Sequence, residues 1–302
     1  MKALVITSSG MELQEVPEPS LKSDDQVKIK ITRAALCRTD LYVADGSLPV
    51  EPGRILGHEA AGEVVECGDV VSGLKPGDRV VIDPVEPCGT CVNCLGQTPH
   101  LCGFTKFMGV DSQGAFADYV VISANKVYRL PDDLSFDLAI YAEPLAATRA
   151  ILDKVKGVDE QILVYGTGRI SKLTAHVLQA GGFGSLECSM TPLKNDYQVV
   201  IETAESGQGI SKALAFLRPG GKLIVKSRHP TQLSIPLLQI IQKRLSLEAV
   251  YYSPFRQALD HLIQHRDYVA TLLGNRWKLE KYREAFAEAT SSESLKTFFT
   301  FD

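Results

Sequence analysis

The sequence predicts an α/β chain of two domains, and three observations carry that reading. The chain has 302 residues, enough for two domains of ordinary size. Four of its seven cysteines fall in one short stretch, CGTCVNCLGQTPHLC, from Cys88 to Cys102. The stretch QILVYGTGRISKLTAHVLQAGG, from Gln161, reads as strand, Gly-rich turn and helix. Composition is that of a globular protein, 45% hydrophobic and 23% charged. A net charge of −4 and a pI near 5.9 give no reason to expect nucleic acid or an anionic membrane as a partner. MKALVITSSG alternates like a strand and shows no cleavage-site pattern. No run approaches the length of a membrane span. A cytoplasmic location is therefore expected.

The cysteine cluster has the spacing C-x2-C-x2-C-x7-C: Cys88, Cys91, Cys94 and Cys102. An odd cysteine total, unevenly spread, argues against a disulfide framework and for metal binding. Four thiolates make a complete tetrahedral set for zinc, with no open position for chemistry. An iron–sulfur run also begins C-x2-C-x2-C, but its fourth Cys follows after three residues and precedes Pro. Here the gap is seven and Gly103 follows. A nucleic-acid zinc ribbon would show two separated knuckles on a basic surface. The cluster reads as a structural zinc site, a staple that does not reveal the reaction.

The chemistry lies in other residues. LCRTDLY holds Cys37, GRILGHEAAGEVVE holds His58 and Glu59, and YAEPLAATRA holds Glu143. Each alone has an ordinary reading: a packed thiol, a core histidine, an acid near a helix start. Together with GAFADYVVI, PDDLSFDLA, AEPLA, LVYGTG, LRPGGKLIV and SSESLKTFFTF, in that order along nearly the whole chain, they resemble the medium-chain zinc-dependent alcohol dehydrogenases, on the branch of the sorbitol and threonine dehydrogenases.

The resemblance implies a GroES-like β-barrel catalytic domain with a Rossmann domain, a doubly wound parallel sheet. It implies two zinc ions per chain and NAD or NADP. Cys37, His58 and Glu143 would ligate the catalytic zinc, with water or substrate at the fourth position. Asp40 would orient the ligand histidine, Thr39 would take the proton of the alcohol, and Glu59 would enter or leave the metal shell. Arg38 would reach the pyrophosphate, beside a cradle formed by Gly166, Thr167, Gly168, Arg169 and Ile170.

The nucleotide half departs from the full fingerprint. The third glycine is Ser171, which adds bulk where helix and strand pack closely. The ribose-binding acid expected roughly 20 residues on falls near Ser189, with Glu187 two residues earlier. The chain then passes almost at once from FGSLECSMTPLK into DYQVVIETAES, so the Rossmann domain is truncated by a helix and an edge strand. The strand around Leu186–Ser189 fits either the second or the third position of the usual order. Ser189, Thr191 and Lys194 suit a 2′-phosphate.

The expected division is residues 1–144 with 265–302 as the catalytic domain and 145–264 as the shortened nucleotide domain. The expected function is zinc-dependent oxidation of a small-molecule alcohol, or reduction of the carbonyl, with NAD(P), in a homodimer or homotetramer. Tyr42, Phe107 and Tyr141 are candidate walls of the substrate pocket. The alternative is a pseudoenzyme of the same fold, a zinc protein with weakened cofactor binding that serves as a binding module.

Overall fold

The computed structural model describes residues 1–155, 157, 160–204, 207–230, 232–290 and 295–301. Residues 205–206 and 291–294, which belong to two of the motifs above, lie outside the described residues. The chain forms two compact units: Met1–Glu143 with Leu259–Asp302, and Pro144–Ala258. The return to the first unit comes at Leu259, six residues before the boundary expected from the sequence.

The first unit opens with the hairpin β1 (Lys2–Thr7) and β2 (Gly10–Glu15). Next come β3 (Gln26–Ala35), α1 (Arg38–Ala44), β4 (Glu59–Cys67) and β5 (Arg79–Ile82). The four-cysteine region lies between the two short strands β6 (Val85–Glu86) and β7 (Lys106–Phe107) and contains α2 (Val92–Leu95). Strands β8 (Tyr119–Ser123) and β9 (Val127–Arg129) follow, then α3 (Phe136–Ala139) and α4 (Ala142–Arg149).

Strand β3 organises this unit. Its sequence QVKIKITRAA alternates, and Val27, Ile29 and Ile31 are fully buried, as a strand with one face on a core requires. One edge pairs with β4. The other is shared, its first half bonded to β8 and its second half to a strand from the chain's C-terminal end. Phe116, Leu56, Val80, Ile82 and Phe299 join it in one continuous core.

Gly57 sets the entry to β4. Its φ is +92°, and a Cβ there would overlap the Phe116 ring. Only glycine meets both conditions.

The second unit is a parallel sheet. Strand β10 (Ile162–Tyr165) leads into α5 (Arg169–Ala180) and β11 (Leu186–Ser189). Strand β12 (Tyr197–Glu202), α6 (Gly209–Ala215), β13 (Leu217–Val225), α7 (Leu237–Lys243) and β14 (Ser246–Ala249) complete it. The strand order is β11-β10-β12-β13-β14, all parallel. Strand β10 is buried throughout, which explains its unbroken apolar run. Because β11 pairs directly with β10, it holds the second position of the doubly wound order. Beyond it there is no further strand among the described residues.

The chain closes through α8 (Phe255–Gln264), α9 (Arg266–Ala270), β15 (Leu273–Lys278), α10 (Tyr282–Ala289) and β16 (Lys296–Thr300). Strand β16 lies between β15 and β3. Asp137, on α3, accepts hydrogen bonds from Arg33 of β3 at 3.1 Å and from Arg276 of β15 at 2.6 and 2.8 Å. That acid ties the returning strands to the older part of the sheet. No described helix is long and apolar enough to cross a membrane.

Gly57→Ala forces a side chain into both a positive-φ backbone and the Phe116 ring, so it is expected to cost at least about 2 kcal/mol of stability. The check is a urea unfolding curve, whose midpoint should fall with its slope unchanged.

Candidate active site and metal centres

The site begins at the junction of β3 and α1. Cys37 is the N-cap of α1, and Asp40 lies in its first turn. One oxygen of the Asp40 carboxylate accepts the Cys37 backbone N–H at 2.9 Å, and the other accepts the Gly57 N–H at 3.2 Å. That second oxygen lies 3.5 Å from His58 Nδ1. A single buried carboxylate thus fixes the backbones that carry Cys37 and His58 and contacts the imidazole itself.

His58 is 1% exposed. Neither of its ring nitrogens is satisfied by a well-formed hydrogen bond. Its ring lies 4.8 Å from that of Phe107, tilted by 50°. Buried polar groups are normally paired, so an imidazole with an unsatisfied nitrogen beside a thiol and a carboxylate fits a metal ligand. The ligand atoms of Cys37, His58 and Glu59 lie within 4.8 Å of one another. Glu143 is also buried, in the first turn of α4. It stands outside that tight trio, yet its charge acts on both Cys37 and Glu59.

The electrostatics suit a cation. Burial works against the Cys37 thiolate, but the charges of His58 and Lys296 outweigh it and bring the thiol down to about 6. Burial likewise opposes the charged form of His58, yet Asp40 and Cys37 hold it well above its usual value. Burial drives the Glu59 carboxyl well up, with Lys296 pulling the other way. Thr39, on α1, places its hydroxyl 3.9 Å from the Cys37 sulfur. Arg38 is the first residue of α1.

Sequence reasoning passed over Lys296. This residue, 2% exposed, lies in β16 and forms an ion pair with Glu59, itself 1% exposed. Its ammonium is 5.9 Å from the centre of the Tyr141 ring. The signal was a lysine directly before the apolar run TFFTF, where an unpaired charge would be costly. Tyr141 is fully buried and donates a hydrogen bond to the Leu272 carbonyl at 2.7 Å. It is therefore a core residue and not the pocket wall expected from the sequence, whereas Phe107 does lie against His58.

The second cluster is assembled by β6, β7 and the loop around α2. Its sulfurs are separated by 3.6 Å (Cys88 to Cys102), 3.9 Å (Cys88 to Cys94), 3.5 Å (Cys91 to Cys94) and 3.8 Å (Cys91 to Cys102). A tetrahedron of sulfurs about 2.3 Å from a zinc ion has edges of about 3.8 Å. A disulfide would need about 2.05 Å, and all four cysteines are free. Backbone N–H groups of Thr90 and Cys91 lower Cys88 to about 6, while Cys94 is pushed up to about 12 by partial burial and the Cys91 thiol. Four sulfurs so close share protons unless a cation replaces them.

In the second unit, Gly166 and Gly168 shape the turn between β10 and α5. A Cβ on Gly166 would collide with the hydroxyls of Ser171 and Thr203. Gly168 is the N-cap of α5, and no side chain caps the helix. Its first-turn N–H groups are thus open to an anion, with Thr167, Arg169 and Ile170 flanking them. Ser171 does not wedge helix from strand as its bulk suggested. It is fully buried 2.8 Å from the Thr203 hydroxyl, which itself donates to the Tyr165 carbonyl at 3.1 Å.

The adenosine side differs from expectation. Ser189 Oγ accepts the Thr191 N–H at 2.9 Å. Lys194 donates to Gln161, which precedes β10 and so lies at the opposite end of the strand from Ser189. Ser189, Thr191 and Lys194 therefore do not converge on a 2′-phosphate.

Fold and candidate site together resemble those of zinc-dependent alcohol dehydrogenases, and comparison with known proteins finds relatives of that kind. Residues 23–132 match the alcohol dehydrogenase GroES-like domain. The chain is 29% identical to the L-threonine 3-dehydrogenase of Paraburkholderia xenovorans (strain LB400), covering 98% of each. That alignment runs over 338 positions while the chain has 302 residues, so the relative carries segments that this chain lacks. Among solved structures, a zinc-binding dehydrogenase of Sinorhizobium meliloti 1021 bound to NADP superposes with a TM-score of 0.87 at 22% identity, covering 99% of each chain. Galactitol-1-phosphate dehydrogenase from Escherichia coli gives 0.85 at 23%, covering 100% of each. The first unit thus contains an alcohol dehydrogenase GroES-like domain, and over nearly its whole length the chain is similar to L-threonine 3-dehydrogenases and to zinc-binding dehydrogenases of known structure.

Two outcomes follow from this geometry. Lys296→Met leaves the Glu59 carboxylate buried without its partner and is expected to cost about 3–5 kcal/mol. Adding Glu59→Gln to the same chain should recover much of that loss, which a double-mutant cycle of unfolding curves would measure. Cys91→Ser should remove one zinc per chain by elemental analysis and lower the melting temperature, because the closed lobe loses its tetrahedral set.

Proposed function

We propose that this protein oxidises the CH–OH group of a small alcohol, or reduces the corresponding carbonyl, with zinc and NAD(P). The observation that carries the reading is the cluster of half-buried Cys37 with buried His58 and Glu59, organised by Asp40, with a second buried carboxylate, Glu143, whose charge acts on it. When bound, the zinc ion supplies a Lewis acid that makes the alcohol a stronger acid, and nicotinamide accepts the hydride.

The chain's own groups do the rest. Cys37, His58 and Glu143 hold the ion, leaving room for substrate. Asp40 fixes the His58 tautomer through Nδ1, so that Nε2 is the ligand atom. The Thr39 hydroxyl receives the proton of the alcohol and passes it outward. Glu59, held by Lys296, serves as an alternate ligand. Gly166–Gly168 and the N-terminus of α5 hold the pyrophosphate, and Cys88, Cys91, Cys94 and Cys102 hold the second zinc. Binding of NADP by a structural relative and the names of the sequence relatives support this class of reaction. At 29% identity or less they do not assign threonine as the substrate.

We read the functional form as a homodimer or homotetramer. Leu237, Leu238 and Ile241 on α7 are exposed, and β14 is an edge strand of the second unit, features that a second copy would cover.

His58→Ala should leave one zinc per chain and abolish turnover without unfolding the protein. Asp40→Asn should weaken zinc affinity at this site on the order of 10–100-fold. Both are checked by metal analysis after graded chelation alongside an alcohol oxidation assay. Full zinc retention in His58→Ala would overturn the assignment.

A further inference from the structure

The connection from β11 to β12 is unusually short. Both strands run parallel to β10, one on each side of it. The chain must therefore leave the C-terminal end of β11, cross β10 and restart at the N-terminal end of β12. Ser189 is level with Tyr165 and Glu202, and Tyr197 begins β12. Covering two strand spacings and the length of a strand takes about 20 Å, and the seven residues between supply little more than that when extended. Parallel connections ordinarily take a dozen residues or more, with a helix. Nothing here can form that helix or the strand beyond it.

The groups that could have faced a nucleoside are used to hold this connection. Glu187 accepts the Leu193 N–H at 3.1 Å and the Tyr197 hydroxyl. It lies opposite Leu163, part of the core shared with α6. Ser189 Oγ is taken by the Thr191 N–H. From Ser189 to Asn195 the sequence SMTPLKN holds no acid, and its one cation, Lys194, is bonded at the far end of β10. The segment from Ser189 to Asn195 thus supplies neither a carboxylate for a ribose 2′-hydroxyl nor a cation for a 2′-phosphate at the C-terminal end of β11, the two devices by which such sheets grip the adenosine half. The pyrophosphate cradle at Gly166, Gly168 and the start of α5 is intact.

We infer that this enzyme recognises its cofactor through the nicotinamide nucleotide and pyrophosphate alone, so that it does not distinguish NAD from NADP. The inference rests on the dehydrogenase reading. A ribose–carboxylate bond contributes about 1.5–3 kcal/mol where it exists, roughly 10- to 150-fold in affinity. Here that contribution is missing from the start.

The test uses the zinc-loaded wild-type chain and calorimetry, with no turnover required. NADH and NADPH are each titrated, and adenosine, which carries no phosphate for the cradle, is offered as a competitor. The expected result is two dissociation constants within about tenfold of one another, and no displacement of NADH by adenosine at about 1 mM. A preference of more than about tenfold for either cofactor, or displacement by adenosine, overturns the inference and leaves the dehydrogenase reading standing. Failure of both nicotinamide compounds to bind overturns both.

Discussion

The buried pair of Glu59 and Lys296 is the constraint around which the first unit is assembled. Two charges removed from water are costly, and they are tolerated only where each finds the other. Glu59 opens β4, and Lys296 opens β16, far along the chain. The pair can form only if β16 reaches β3 in the observed register, Phe298 against Ala35. The C-terminal segment is therefore part of the candidate metal site and not an appendage. It supplies the positive charge that lets a third acidic group remain beside Cys37 and His58.

Asp40 shows the same economy on a smaller scale. Its carboxylate joins the Cys37 backbone, the Gly57 backbone and the His58 ring. The residue before His58 must be glycine, because Phe116 occupies the space where a side chain would go. Position and chemistry are thereby fixed together: the packing that orients His58 also delivers the acid that stands 3.5 Å from its Nδ1. The four-cysteine lobe is held differently. Val92, Leu95, Leu101 and Phe104 around it are exposed, so it has little apolar core of its own, and its four sulfurs are what its loop converges on.

Much of this was legible in the sequence, for physical reasons that can be named. The Cys88–Cys102 spacing is short and local, so ligand count alone identified a tetrahedral sulfur cluster. The unbroken apolar run of β10 announced a parallel strand, and the Gly-rich turn announced the helix after it. Long-range pairing was not legible. Lys296 is one lysine in an apolar strand, and nothing nearby in the sequence indicates that its partner is Glu59. Ser171 looked like excess bulk because its hydrogen bond to Thr203 joins two distant stretches. The Ser189, Thr191 and Lys194 group misled for the converse reason. Neighbours in sequence were pulled to opposite ends of a strand by a taut connection.

That connection also changes the social life of the sheet. With no strand beyond it among the described residues, β11 presents a row of backbone donors and acceptors along its outer side, the feature by which one chain recruits a strand from another. The protein limits the hazard by keeping this edge four residues long and by placing Pro192, which cannot donate a backbone hydrogen bond, in the segment just after it. Shortening the domain has thus turned an interior position into a frontier, and the sequence around Ser189 answers to colloidal safety as well as to ligand binding.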